Sequence, residues 1–240
     1  MTKYLLLPFC LLLLNAHAQD RSEVWFGAGV KSELVKDLMF GVQTNARVRT
    51  DGRLQTLFQE VSIKSEHIKW FRPSVDYRFI ASYAKNGNTD YGNRINLNAD
   101  FRHKFGDVKT GVRGRYQLFL GNALLTGTDL DPSFRIKPYV EYTIPKTRFT
   151  PEVSAEFFYN PQNGPTGDRF NRIRLGLSLG IDLPGPNTLG LTYYYGKRFN
   201  TGNPYNEHIF SLEYSYEFKK DKDKKKKSKP VSKSKSIRSL

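Results

Sequence analysis

Between Glu23 and Phe218, apolar and polar residues alternate with a period of two in one segment after another. The clearest case is Ile173, Leu175, Leu177, Leu179, Ile181 and Leu183, interleaved with Arg172, Arg174, Gly176, Ser178, Gly180 and Asp182. A helix would scatter those apolar side chains around its axis, whereas a strand puts all of them on one face. The same alternation sets Leu38, Phe40, Val42, Ala46 and Val48 against Gln43, Asn45, Arg47 and Arg49. It sets Val75, Tyr77, Phe79, Ala81 and Tyr83 against Arg72, Ser74, Asp76 and Arg78. Further segments centre on Ile95–Phe101, Val112–Leu118, Phe134–Tyr142, Val153–Tyr159, Leu189–Tyr195 and His208–Phe218.

The connections alternate as well. Tight ones fall at Val35–Asp37, Lys64–Glu66, Gly106–Asp107, Pro145–Lys146 and Pro184–Asn187. Looser, polar ones fall at Thr50–Gly52, Lys85–Gly92, Asn122–Pro132, Pro161–Arg169 and Asn200–Asn206. Short turns on one rim and longer loops on the other are the mark of an outer-membrane barrel, with the short turns facing the periplasm. The expected fold is therefore all-β, an antiparallel up-and-down transmembrane β-barrel of about 10–12 strands. The segments number eleven, whereas bacterial single-chain barrels close on an even number. The reading thus leaves ten or twelve strands open, with the Gly-rich start Val24–Val30 as one candidate for a segment outside the wall.

The ends differ from this body. Met1-Thr2-Lys3, an apolar run from Tyr4 to Leu14 and Ala16-His17-Ala18 read as a cleaved signal peptide over residues 1–18. That run is too short to span a bilayer as a helix. It also holds the only cysteine, Cys10, so no disulfide is expected in the mature chain. The barrel is expected over 19–218, followed by a disordered, Lys-rich periplasmic tail over 219–240. That tail carries ten Lys and one Arg against two Asp, so +9 of the overall net charge of +15 resides there. The body is only mildly basic, and a nucleic-acid partner loses its main support. The partners expected for the tail are anionic periplasmic surfaces, such as phospholipid headgroups.

Three sets of residues are candidates for function. The polar faces would line the lumen with a charge network of Arg47, Arg49, Glu60, Arg72, Asp76, Arg78, Arg113, Arg115, Arg135, Glu141, Glu152, Glu156, Arg172, Arg174 and Glu213, joined by Arg94 and Asp100. Such a network either fills a narrow barrel with ion pairs or lines a narrow anion-selective pore. The final strand sets Phe210, Leu212, Tyr214, Tyr216 and Phe218 on one face, and an aromatic-ended terminal strand is similar to the signal read by the barrel-insertion machinery. His208 lies near Glu207 and Ser211, the residue types of an outer-membrane lipid hydrolase, yet on a strand His208 and Ser211 point to opposite faces. No zinc-ligand spacing, phosphate loop or nucleophile elbow appears. The chain is therefore expected to be no enzyme and to carry no cofactor or metal.

Several short motifs, in order, resemble a family of bacterial outer-membrane proteins common in Bacteroidetes, domain-of-unknown-function family 2490. They are Trp25 with Gly27 and Gly29, Tyr77-Arg78-Phe79, Arg113-Gly114-Arg115-Tyr116-Gln117 and Arg135-Ile136-Lys137-Pro138-Tyr139. Pro151 to Phe158, Arg172 to Leu177 and Leu191 to Tyr195 complete the set. The resemblance implies barrel architecture and location in the cell outer membrane of a Gram-negative bacterium, in contact with outer-membrane lipid, and it supplies no catalytic residue. The resulting expectation is an envelope protein with a mostly filled lumen and a structural or transport-related role. A soluble periplasmic barrel that binds an apolar ligand is the remaining alternative, and it would require the apolar faces to point inward.

Overall fold

A strand buries its main-chain polar groups only by pairing on both sides, so a single sheet of many strands is stable when it closes on itself. The computed structural model shows such a closed sheet. It describes residues 21–120, 133–160, 170–200 and 204–218. The expected signal peptide, the Lys-rich tail and most of the three longest loops lie outside the described residues. The strands are β1 (Arg21–Val35), β2 (Leu38–Arg49), β3 (Leu54–Ser65), β4 (Phe71–Tyr83), β5 (Thr89–Phe105), β6 (Val108–Leu120), β7 (Ser133–Tyr142), β8 (Phe149–Tyr159), β9 (Phe170–Asp182), β10 (Asn187–Arg198) and β11 (Tyr205–Phe218). Each pairs with its neighbours in sequence, and β1 pairs with β11 to close the ring.

The strand number corrects the expectation of an even count. Val24–Val30 belongs to the wall as part of β1 and is not an extra segment outside it. Ten of the eleven pairings are antiparallel. In an up-and-down ring with an odd number of strands the first and last run the same way, so the closing pair is parallel, with Arg21 opposite Glu207 and Ser32 opposite Phe218. Both β1 and β11 start at the rim that carries the longer loops and end at the rim that carries the tight turns.

Local chemistry sets the tight rim. The β5–β6 connection is only Gly106 and Asp107, and Gly106 takes φ +58, a conformation glycine adopts without steric cost. Gly185 does the same at φ +77 between β9 and β10. Asp37 turns β1 into β2 at φ 63, and its main-chain N–H donates to Oε1 of Glu33 at 3.0 Å.

The pleat then sorts side chains into two environments. Val30, Val61, Val75, Leu97, Val112, Ile136, Val153, Leu177, Leu191 and Leu212 face outward and are exposed. Aromatic residues flank this aliphatic band on both sides. Towards the turns lie Trp70, Phe101, Phe105, Tyr142, Phe149 and Phe218; towards the loops lie Phe79, Tyr91, Phe134, Phe157 and Phe170. Several touch across strands, as Phe71 and Phe101 do at 4.9 Å and Tyr116 and Phe134 at 4.6 Å between ring centres. Ile173, Leu175, Leu177, Leu179 and Ile181 share the outward side, so the inward apolar lining required of a ligand-binding soluble barrel is not the one found.

The parallel seam is open to a direct test. Ala28 and Tyr214 stand opposite each other across it. Parallel neighbours lie about 4.8 Å apart, within the Cα separation of about 4.4–6.8 Å that a disulfide bridges. Ala28→Cys with Tyr214→Cys in a Cys10→Ser background is expected to crosslink on mild oxidation, whereas Ala28→Cys with Phe210→Cys is not. Mobility on non-reducing gels reads the result.

Candidate functional site: a charged lumen

The inward faces are almost wholly polar, and the buried set is dominated by Asp76, Arg94, Asn96, Asn98, Gln117, Glu156, Arg172, Arg174, Arg198 and Glu207. Isolated charges at such positions would be prohibitively costly, and pairing removes most of that cost. Some pairs join adjacent strands, whose opposed side chains lie within reach of each other, as Arg78 of β4 and Glu60 of β3 do; others cross one intervening strand, as Arg113 of β6 and Glu156 of β8 do. On β8 and β9, Glu156 stands opposite Arg174.

Most members of the predicted network are brought together. Arg78 donates to Glu60 from Nε at 2.8 Å. Arg115 meets Asp76 at 3.3 Å, and its Nε donates to Oδ1 of Asn98 at 2.5 Å. Arg113 and Arg174 share Glu156 at 3.6 and 3.5 Å. Glu141 takes Lys109 at 2.5 Å, and Glu152 takes Lys137 at 2.8 Å. Arg72 pairs with Glu66 of the β3–β4 turn. Arg135 donates to Oε1 of Gln117 at 2.6 Å. Among the described residues, Asp100 accepts from the Tyr139 hydroxyl and two further predicted members also sit apart from the ion pairs. Arg49 lies at the loop rim, and Glu213 accepts a hydrogen bond from the Ser211 hydroxyl at 3.3 Å.

The lumen differs between its two ends. In the loop-side half, guanidinium groups stack on inward aromatic rings. Arg47 lies 4.2 Å from the Trp25 ring centre, Arg78 4.1 Å from that of Phe58, and Arg135 4.5 Å from that of Phe158. Arg172 and Arg174 also approach Phe158, at 5.0 and 5.2 Å. Ile80 and Ile209, which are 4% and 1% exposed, are buried in the same half. Glu207 is buried among them and binds both Arg172 and Arg198, the latter at 2.9 Å.

The turn-side half is open. A cavity of about 340 Å³ lies there, ringed by sixteen side chains from β3 to β8, every one of them polar. Seven are cationic and five are carboxylates, so the lining carries a small positive excess. Its tyrosine, Tyr139, lies across Gly111: a Cβ on Gly111 would come within 2.5 Å of the ring and 2.7 Å of the Phe101 carbonyl. The Tyr139 hydroxyl donates to Asp100 at 3.1 Å.

The histidines stand elsewhere. His208 points outward, with Nδ1 2.8 Å from the Tyr193 hydroxyl. Ser211 and Glu207, its neighbours in sequence, face the lumen, so the three are divided between the two sides of the wall. His67 meets Asp37 at 3.6 Å in the turns, and His103 packs on Phe105.

Glu207, Arg198, Phe58, Phe158, Tyr194 and Ile209 were absent from the network predicted from the sequence. The parity of their strands carries the missing signal. Glu207 and Ile209 share the parity of Ser211, Phe158 that of Glu156, and Arg198 that of Gly196.

Fold and lumen define a single closed β-barrel whose loop-side half holds guanidiniums stacked on aromatic rings and whose turn-side half holds a polar cavity. Residues 22–221 match the family described as "Protein of unknown function (DUF2490)", and the chain belongs to that family. No curated protein matches the chain.

Burial predicts how unequally these charges matter. Glu207→Gln leaves two buried guanidiniums without their carboxylate and is expected to destabilise the barrel by about 3–5 kcal/mol. Glu217→Gln breaks an exposed pair with Lys31, where less than about 1 kcal/mol is expected. Urea unfolding midpoints of the refolded proteins measure the difference.

Proposed function

We propose that the chain is an integral outer-membrane β-barrel whose lumen is closed towards the outside, a structural or transport-related protein of the cell envelope and not an enzyme. The observation that carries this reading is the outward surface: an aliphatic band between two sets of aromatic residues, continuous around the barrel. Barrels in lipid present an apolar band about 25 Å tall between aromatic girdles. The same surface in water would be one large exposed apolar patch, which soluble monomers rarely carry.

Orientation follows from the turns. In bacterial barrels the short turns face the periplasm. The polar cavity would then open to the periplasm and the packed Arg–aromatic half would lie outermost. The terminal strand with Phe210, Leu212, Tyr214, Tyr216 and Phe218 would be the element offered to the barrel-insertion machinery during assembly, since a strand is recognised by main-chain pairing at an open edge. Residues after Phe218 leave on the periplasmic side in this orientation, where a Lys-rich segment meets anionic headgroups.

A narrow anion-selective pore is less well supported. Ile80, Ile209, Phe58 and Phe158 are all buried in the lumen, and guanidiniums stack on the Phe58 and Phe158 rings there.

Cell fractionation tests the reading. The protein is expected to remain in the outer-membrane fraction after high salt and after carbonate, and release by either treatment contradicts it. Leu177, outward-facing at mid-height on β9, gives a second measurement. Leu177→Arg is expected to cost about 2–4 kcal/mol when unfolding is measured in lipid vesicles, the penalty of a cation at the bilayer midplane. Planar bilayers containing the purified protein are expected to show no discrete conductance steps.

A further inference from the structure

The turn-side cavity has more cationic groups than its own carboxylates hold. Every carboxylate in its lining except Asp100 is already engaged by a cation, and Asp100 takes the Tyr139 hydroxyl. Arg102 faces the cavity and makes no ion pair with a described residue. Arg113 reaches Glu156 only at 3.6 Å, has to share it with Arg174, and keeps a buried Nε without a hydrogen-bond partner.

Strand register concentrates this excess in one patch. Arg102 stands opposite Gly111, so its diagonal neighbours on β6 are Lys109 and Arg113. Diagonal neighbours on one face lie about 7–8 Å apart, within reach of long side chains, and like charges placed so close repel. Gly111 between them has no side chain of its own, and the Tyr139 ring occupies its place. Arg102 and the weakly held Arg113 therefore project, beside a Lys109 that Glu141 engages, around a tyrosine into a water-accessible cavity, an arrangement with a positive excess that an anion would balance.

We propose that this cavity binds a small, hydrophilic, multiply anionic molecule bearing carboxylate or phosphate groups, anchored by Arg102, Lys109 and Arg113. Arginine suits either group, because its planar fork makes two parallel hydrogen bonds to a carboxylate or a phosphate. A volume of about 340 Å³ admits a metabolite-sized solute and lies at the small end of ligand pockets, which span about 300–1,000 Å³. The absence of apolar side chains from the lining excludes an acyl chain or an aromatic drug-like ligand. The proposal rests on the cavity alone and is independent of the membrane assignment.

Calorimetric titration of the full-length protein in detergent tests it, with citrate as the carboxylate probe, pyrophosphate as the phosphate probe and sucrose as a neutral one. At least one anion is expected to bind at one site per chain, more weakly as salt is added, with no heat from sucrose. Which anion binds more tightly identifies the group recognised. Arg102→Gln leaves every ion pair intact and is expected to lower the affinity at least tenfold. Arg113→Gln is expected to do the same, and heat-modifiable gel migration verifies that each variant is folded. The Lys-rich residues 219–240 are present in all these proteins, so anion binding by them would survive both substitutions. Binding unchanged in the two variants, binding of sucrose as strong as that of the anions, or binding of neither anion overturns the proposal.

Discussion

Every feature of this barrel depends on the closure of a main-chain hydrogen-bond ring by an odd number of strands. A sheet of eleven cannot close with antiparallel pairs alone, because its first and last strands point the same way. The parallel pair of β1 and β11 is the solution, and it runs in unbroken register from Arg21 opposite Glu207 to Ser32 opposite Phe218. Parallel pairing is slightly weaker per residue than antiparallel pairing. Closure also removes the open edges that would otherwise pair with other chains.

Once the ring is closed, the pleat decides the fate of every side chain. Alternate residues must point into the barrel or out to the surroundings. An eight-stranded barrel is just filled by its side chains, and an aqueous channel needs about sixteen strands. Eleven strands lie between these limits, and the interior shows both regimes. Large flat groups fill the loop-side half by stacking Arg47, Arg78 and Arg135 on Trp25, Phe58 and Phe158. Long charged chains with smaller residues such as Ser62, Ser74 and Gly111 leave the turn-side half hollow.

The charged interior stabilises by avoiding a penalty more than by adding attraction. Buried ion pairs seldom outperform apolar packing, but a polar inward face opposite an apolar outward face opposes pairing of the strands in a slipped register. A one-residue slip of β9 would put Arg172 and Arg174 outward and Leu175 and Leu177 inward, an exchange opposed on both faces. Alternation of this kind specifies register across the sheet, and Glu207 held by two guanidiniums pins it where β9, β10 and β11 meet.

The sequence by itself determined the all-β class, the alternation of turns and loops, and the inward side of most strands. These are local matters: a period of two and residues such as Gly106 and Gly185 report on backbone geometry within a few positions. The inward aromatics escaped notice because Phe58 and Phe158 read as apolar residues among apolar residues, and only strand parity separates them from the outward set. The eleven alternating segments of the sequence are the eleven strands, and only their expected even number fails, because evenness is a habit of bacterial barrels and not a steric requirement. Only the tertiary structure decided the parallel seam, the pairing of Glu207 with Arg172 and Arg198, and the contrast between a packed and a hollow half. Those depend on which residues of distant strands stand at the same height, and height is set by the register of the whole closed ring, which no single segment encodes.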